Sequence, residues 1–266
     1  MKVGVIGNAH KIKNERVIEE LISRLQENGF ETARFSSHRE IENVDLVIVL
    51  GGDGAILHAA TVAAPQNIPI VGVNYGNVGF LTEFEREEVF NVVELLLAYQ
   101  KGDCTILNRS LLEVSVDGES YYALNEIAIQ RDYACGTSPQ ILTIRVKTES
   151  GDIPLAGDGA LLSTPTGSTA YSLSAGGAII TPEAPVFLLT PICAFSMSAR
   201  PMVLSDDEQF EFTVEKGKAL LLVDGKAVAT LRENDGVTVK KAPFTAHFPT
   251  QNEKNFFNKI KNKLNG

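Results

Sequence analysis

The stretch Asp45-Leu46-Val47-Ile48-Val49-Leu50-Gly51-Gly52-Asp53-Gly54 is an unbroken apolar run that ends in glycines around a carboxylate. A short apolar run without polar alternation, closed by a turn signal, reads as a strand buried on both faces, as in a parallel sheet. Behind it, Ala55–Ala64 reads as a helix closed by Pro65. The alternation continues in both directions. Upstream, Lys2–Ile6 is a short strand ending at Gly7. Glu15–Asn28 then carries Val17, Ile18, Leu21, Ile22 and Leu25 at helical spacing before Gly29, and Thr32–Phe35 is a weak second strand. Downstream, Ile70–Val73 is another buried strand. Glu87–Tyr99 is helical, with Val89, Val92, Val93, Leu96 and Leu97 on one side. Strands alternating with helices predict a parallel sheet with helices on its faces.

Near Lys101–Arg109 the pattern changes. From Leu111 to about Phe248 many short β-like runs follow, among them Leu112–Val116, Ile127–Gln130, Ile141–Lys147, Phe210–Val214, Leu220–Val223 and Val237–Lys240. Asp117-Gly118, Ser150-Gly151, Lys216-Gly217, Asp224-Gly225 and Asp235-Gly236 are the turn signals among them. At the end, Glu253–Leu264 places Phe256, Phe257, Ile260 and Leu264 at helical spacing. No internal repeat and no low-complexity linker is present, so two packed domains are expected.

Charge narrows the function. The formal net charge is −9, and sequence-independent nucleic-acid binding needs basic clusters to neutralise phosphates. The one basic cluster, Lys254, Lys259, Lys261 and Lys263, reads as the solvated face of the terminal helix. Cys104, Cys135 and Cys193 are far apart and form no C-x-x-C pair, which argues for reduced, mostly buried thiols over disulfides or zinc. MKVGVIGN is too short an apolar run for a signal peptide, and no stretch approaches the ~20 apolar residues of a membrane span. A soluble, cytoplasmic protein with no nucleic-acid or membrane partner is the expectation.

Gly51-Gly52-Asp53-Gly54 stands between a strand and a helix. Ligands of open α/β sheets bind beyond the carboxyl ends of the strands. Glycines there let backbone N–H groups approach phosphates, and a helix N-terminus favours anions. A carboxylate among such glycines would repel a phosphate unless it holds a metal or accepts a proton from an attacking hydroxyl. The turn by itself marks a phosphoryl-transfer candidate, since phosphofructokinases and the diacylglycerol and sphingosine kinases carry similar turns. The competing reading is an ordinary strand-end turn, where Asp and Gly are common. A second motif, Gly157–Gly177 (GDGALLSTPTGSTAYSLSAGG), is dense in glycines and small hydroxyls around the single aromatic Tyr171. That composition suits a polar nucleotide pocket as well as it suits a hydroxyl-rich loop and helix cap.

Together the motifs resemble the NAD kinase family. GGDG at Gly51–Gly54 is followed by Asn74-Tyr75-Gly76-Asn77-Val78-Gly79-Phe80-Leu81-Thr82, similar to the family's N-x-G-x-x-G-F-L segment. Asn125-Glu126, the TPTGSTAY run, Ala199-Arg200-Pro201 and Asp224-Gly225 then come in the family's order. The match spans residues 45 to 226. It implies a Rossmann-like α/β domain over 1–100 carrying GGDG and a predominantly β, sandwich-like NAD-binding domain over 101–248. A helix over 249–266 would return to the first domain.

The resemblance also implies roles. NAD would lie in a cleft between the domains and be phosphorylated on the 2′-hydroxyl of its adenosine ribose. Asp53 would orient that hydroxyl or take its proton. Gly51 and Gly52 would shape the phosphate turn, with Gly54 facing NAD. Asn125 and Glu126 would hydrogen-bond NAD, and Phe80, Thr169, Ala170, Tyr171 and Ser174 would line its pocket. Asp158 would face the nicotinamide end, a contact that comes from a neighbouring subunit in a homodimer or homotetramer. The donor would be ATP or polyphosphate with Mg²⁺ or another divalent metal, for which no protein ligand is assigned. No Walker lysine is present, because the chain lacks G-x-x-x-x-G-K-[ST], and that raises the need for a metal.

Two departures stand out. Ala55 replaces the hydroxyl residue that usually follows GGDG, and Ala194-Phe195 replaces a frequent Pro-His. They leave open a non-catalytic NAD(P)-binding sensor built on the kinase fold. A lipid or sugar kinase sharing GGDG is the other alternative, opposed by the TPTGSTAY run and the Asn-Glu pair. Arg200 is read as a salt-bridge partner as readily as a site residue.

Overall fold

The computed structural model describes residues 1–7, 15–77, 79–134, 141–251 and 256–264. The chain forms two compact units, Met1–Arg109 with Phe244–Gly266, and Ser110–Pro243.

The first unit contains, in chain order, β1 (Lys2–Gly7), α1 (Glu15–Glu27), β2 (Glu31–Phe35), β3 (Leu46–Gly51), α2 (Asp53–Ala63), β4 (Ile70–Asn74), β5 (Phe84–Glu85) and α3 (Val92–Lys101). Its five strands are parallel, in the order β2-β1-β3-β4-β5. Alternation along the strands sorts the core. Val3, Val5, Leu46, Ile48, Val71 and Val73 pack with Ile18, Leu21 and Leu25 of α1 and with Val92, Leu95 and Leu96 of α3. On the other face Ile56 of α2 lies so close to Gly72 that a Cβ there would sit 2.4 Å from Ile56 Cδ1. From β1 the chain goes to one side for β2 and returns to the other for β3. Beyond the carboxyl ends of β1 and β3, at this reversal, parallel sheets open a crevice. Gly51 closes β3 there.

Two boundaries differ from the sequence reading. The helix α2 starts at Asp53 instead of Ala55, with Gly52 as its N-cap. The expected helix over Glu87–Tyr99 divides into 3₁₀ turns over Arg86–Asn91, entered through a reciprocal Glu85–Glu88 capping box, and then α3.

The second unit is built on β6 (Thr105–Val116), β7 (Glu119–Ala123), β8 (Glu126–Arg131), β9 (Leu142–Thr148), β10 (Gly151–Gly157), β11 (Gly159–Ser163), α4 (Tyr171–Ser174), β12 (Val186–Ile192), β13 (Met202–Ser205), β14 (Phe210–Lys216), β15 (Ala219–Val223), β16 (Lys226–Leu231) and β17 (Gly236–Thr250). Antiparallel pairs make two six-stranded sheets, β10-β9-β14-β17-β6-β7 and β13-β12-β11-β8-β15-β16. The ends of β6 and β17 belong to the first unit. One core joins the sheets: Ile127, Ile129, Leu162, Phe187 and Leu189 from one, and Ile144, Val146, Phe210 and Phe212 from the other. Each such large side chain contributes roughly 1.5–3 kcal/mol on burial. On the outer face of the second sheet, Ala128, Leu161 and Ile192 are covered by Tyr171 and Ala175.

The helix α5 (Phe256–Leu264) falls in the first unit. Its basic residues are not one solvated face. Lys261 is exposed, but Lys259 is half-buried and donates to Thr82 O at 2.6 Å and Phe80 O at 3.5 Å, carbonyls that need a donor away from water. Lys254 and the side chains of Lys263 and Leu264 lie outside the described residues. The thiols also differ from expectation: Cys193 is exposed and Cys104 half-buried, while Cys135 lies outside the described residues. No helix is long and apolar enough to cross a membrane among the described residues.

Candidate active site

In the first unit the geometry centres on Asp53. It is the first residue of α2, beyond the end of β3. Its Oδ2 accepts from the amides of Gly79 and Phe80, both at 3.1 Å, and its Oδ1 accepts from Leu81 N at 2.9 Å. A carboxylate offers about four acceptor positions, so these three amides leave one, on Oδ1. The loop on which Asp53 pulls is fixed from other sides. Thr82 Oγ1 donates to Gly79 O at 3.2 Å, and Asn74 Oδ1 accepts from Gly76 N at 2.9 Å. Gly52 and Gly76 touch backbone to backbone, and a Cβ on Gly76 would sit 2.8 Å from Gly52 Cα. Only residues without side chains let these two loops meet. Val78 lies outside the described residues.

In the second unit Asn125 and Glu126 open β8, and Asp224 holds them there. Asp224 Oδ2 accepts from Leu124 N at 2.9 Å; its Oδ1 accepts from Asn125 N at 2.8 Å and Glu126 N at 3.1 Å. Glu126 is buried. Its Oε2 has no hydrogen-bond partner among the described residues, although an orphaned buried oxygen costs ~1–3 kcal/mol. Burial first, and the Asp224 charge second, push its carboxyl up to about 8, against a hydrogen bond from the Tyr171 backbone that pulls the other way. At neutral pH this carboxyl therefore keeps its proton.

The hydroxyl-rich run packs directly on that pair. Thr164 Oγ1 donates to Leu124 O at 2.5 Å, and Gly167 N donates back to Thr164 Oγ1 at 3.1 Å. Gly167 faces Asn125 so closely that a Cβ would lie 2.1 Å from Asn125 O. Thr169 Oγ1 donates to Thr166 O at 3.3 Å, Ala170 leads into α4, and Ser174 at its end is exposed. Burial raises the Tyr171 phenol, and Cys193, Tyr133, Glu126 and Asp158 add to this electrostatically. Asp158 pairs with Arg131 at 3.0 Å, whose guanidinium lies 4.5 Å from the centre of the Tyr133 ring.

Site residues expected from the sequence thus fall into two sets. Gly51, Gly52, Asp53, Gly54 and Phe80 gather in the first unit; Asn125, Glu126, Asp158, Thr169, Ala170, Tyr171 and Ser174 in the second. Four supporting residues were missed: Asp224, Thr164, Arg131 and Lys259. Asp224 was visible as a hairpin turn residue and as part of the Asp224-Gly225 pair in the family resemblance, with no role given to it, and its left-handed φ of 45° fits the turn. The carboxylate's partners lie 98 to 100 residues away, where local signals do not reach. Arg200 is exposed, bonds Ala199 O at 3.1 Å, and makes no ion pair among the described residues. Phe195 is 77% exposed, and its ring offers no hydrogen-bonding group. No group of three or more His, Cys, Asp or Glu is arranged for a metal among the described residues.

Comparison with known proteins bears on the family and the fold. Residues 6–101 match the family model of the ATP-NAD kinase N-terminal domain, and residues 124–250 match that of the C-terminal domain. An NAD kinase of Heliobacterium modesticaldum is 40% identical over 234 residues, 84% of this chain and 80% of that protein. One of Methanothermobacter thermautotrophicus is 34% identical over 280 residues, 99% of this chain and 96% of that protein. Among solved structures, yeast NADH kinase complexed with NADH superposes with a TM-score of 0.86 at 25% identity, covering 100% of this chain and 87% of that one. An Archaeoglobus fulgidus NAD kinase in complex with ATP superposes with a TM-score of 0.80 at 28% identity, covering 98% and 99%. With both halves matched in order and relatives aligned over 80% and 96% of their length, the chain belongs to the NAD kinase family.

Proposed function

We propose that this chain transfers the γ-phosphoryl group of ATP to the 2′-hydroxyl of the adenosine ribose of NAD, releasing ADP and NADP. The observation that carries the reading is Asp53: a carboxylate at the strand-order reversal, beside touching glycine backbones, with one acceptor position left. That position takes the ribose hydroxyl. As the ribose oxygen bonds to the γ-phosphorus and the bond to the ADP oxygen breaks, the hydroxyl proton passes to Asp53, a step of general-base type. Glu126 Oε2, the buried oxygen without a partner, carries the proton of the neutral acid and donates a hydrogen bond to NAD. Asn125, Phe80, Thr169, Ala170, Tyr171 and Ser174 bind the rest of the dinucleotide, and Asp158 sits toward its nicotinamide end, oriented by Arg131. Gly51, Gly52 and Gly54 present backbone to the phosphates.

A divalent cation, Mg²⁺ in this reading, neutralises charge on the transferring group when bound. Asp53 is already engaged by three amides, so nucleotide phosphates would supply most of its ligands. The protein acts as a cytoplasmic homo-oligomer in this proposal.

The test is NADP formation from NAD with Mg²⁺ and either ATP or polyphosphate, with the product's phosphate position read by NMR. ATP-dependent formation of a 2′-phosphate is the expected result. Tight NAD binding with no product from either donor would instead favour the sensor reading that Ala55 and Phe195 suggested.

A further inference from the structure

The loop that Asp53 holds by its amides is held by its carbonyls from the far end of the chain. Lys259 is the fourth residue of α5. Its ammonium donates to Thr82 O at 2.6 Å, a short charge-assisted bond, and reaches Phe80 O at 3.5 Å. Thr82 is buried, so water cannot replace that donor freely. A second tie runs beside it: Thr250 Oγ1, at the end of β17, donates to Glu83 Oε1 at 2.7 Å. Gly79, Phe80 and Leu81 are thus fixed between Asp53 on the amide side and the C-terminal segment on the carbonyl side.

We propose that Lys259 is a positioning residue for NAD phosphorylation. Acting through the Phe80–Thr82 backbone, it sets both where Phe80 stands and how the amides of residues 79–81 hold Asp53. This rests on the role given to Asp53 and Phe80 above. Without the ammonium, the Thr82 carbonyl must find another donor. The loop then shifts, Phe80 leaves the dinucleotide, and the free acceptor position of Asp53 turns away from the hydroxyl. The α5 helix is therefore part of the catalytic apparatus, although it contributes no group that touches substrate.

The experiment compares wild type, Lys259→Met, Lys259→Arg and Lys261→Met in the full chain, with KM for NAD, kcat and unfolding temperature measured on each. Lys261 is exposed on the same helix and controls for loss of charge alone. In Lys259→Met, KM for NAD should rise about tenfold and kcat fall by a similar factor, with Lys259→Arg recovering most of both and Lys261→Met matching wild type. A merely structural lysine would lower the unfolding temperature and the fraction of active protein but leave KM unchanged. Wild-type KM in Lys259→Met, or equal damage in Lys259→Arg and Lys259→Met, would overturn the proposal. If wild type itself makes no NADP, the kinase reading fails first; if wild type is active and Lys259→Met is indistinguishable from it, only the positioning role fails.

Discussion

At the scale of single residues, two carboxyls with contrasting surroundings divide the work. Asp53 is wrapped by three backbone amides, which makes it a clamp as well as a candidate base. An asparagine cannot keep those bonds, because its NH₂ faces Leu81 N–H in one orientation and two N–H groups in the other. So Asp53→Asn is expected to raise KM for NAD as well as cut turnover, rather than leave binding intact as its charge alone would suggest. Glu126 is the opposite case, a buried acid pushed up to about 8 by burial and the Asp224 charge. The folded state binds its proton more tightly than the unfolded chain does. Stability from this group is therefore full below the ordinary carboxylate range and is lost as pH rises through about 8. Glu126→Gln keeps an acceptor for the Tyr171 amide and removes the charge. Its unfolding temperature should exceed that of wild type by several degrees at pH 9, with the gap closing toward pH 5. A constant gap across that range would show that folding does not raise the pKa of Glu126.

At the scale of elements, the site depends on backbone contacts that only glycine permits. Gly167 lies in the turn before α4, against the Asn125 carbonyl. Gly167→Ala should cost ~1–3 kcal/mol, as overpacking does, and should weaken NAD binding by moving Asn125. Calorimetric unfolding together with NAD titration checks it; a normal unfolding temperature would mean the turn yields easily. Elements with a clear period were legible from sequence: α1 by its apolar stripe, β3 by its unbroken run, and the hairpin at Asp224-Gly225 by its dipeptide. Six strands of the second unit, β7, β10 to β13 and β16, were not. The strand β10 contains Pro154, tolerated because the strand is at a sheet edge where a missing N–H breaks no ladder. Covered on both faces, β11 loses the alternation that marks a half-buried strand. The start of α2 was misplaced because Asp53 reads as turn chemistry and as helix N-terminus equally well. The hydroxyl-rich run was legible as a motif, but its packing on Leu124 and Asn125 was not, since nothing local in sequence links positions forty residues apart.

At the scale of the whole molecule, an acidic chain of formal net charge −9 is proposed to bind two phosphate-bearing nucleotides. Lysine clusters are not its means; the means offered here are backbone amides, a helix N-terminus and a nucleotide-borne cation. Each unit carries part of the candidate machinery, Asp53 and Phe80 in one, Asn125, Glu126 and Tyr171 in the other, and the C-terminal Lys259 ties the last helix to the first of these. Family membership follows from both halves together, since GGDG alone is shared with other kinases. The claim on which most depends is that Asp53 serves the phosphoryl transfer itself. Its most direct test is the turnover of Asp53→Asn at saturating NAD and ATP-Mg²⁺, on protein whose unfolding temperature shows it to be folded. The account predicts a kcat at least ~100-fold below wild type, the scale on which a general base acts. A kcat within twofold of wild type would contradict it.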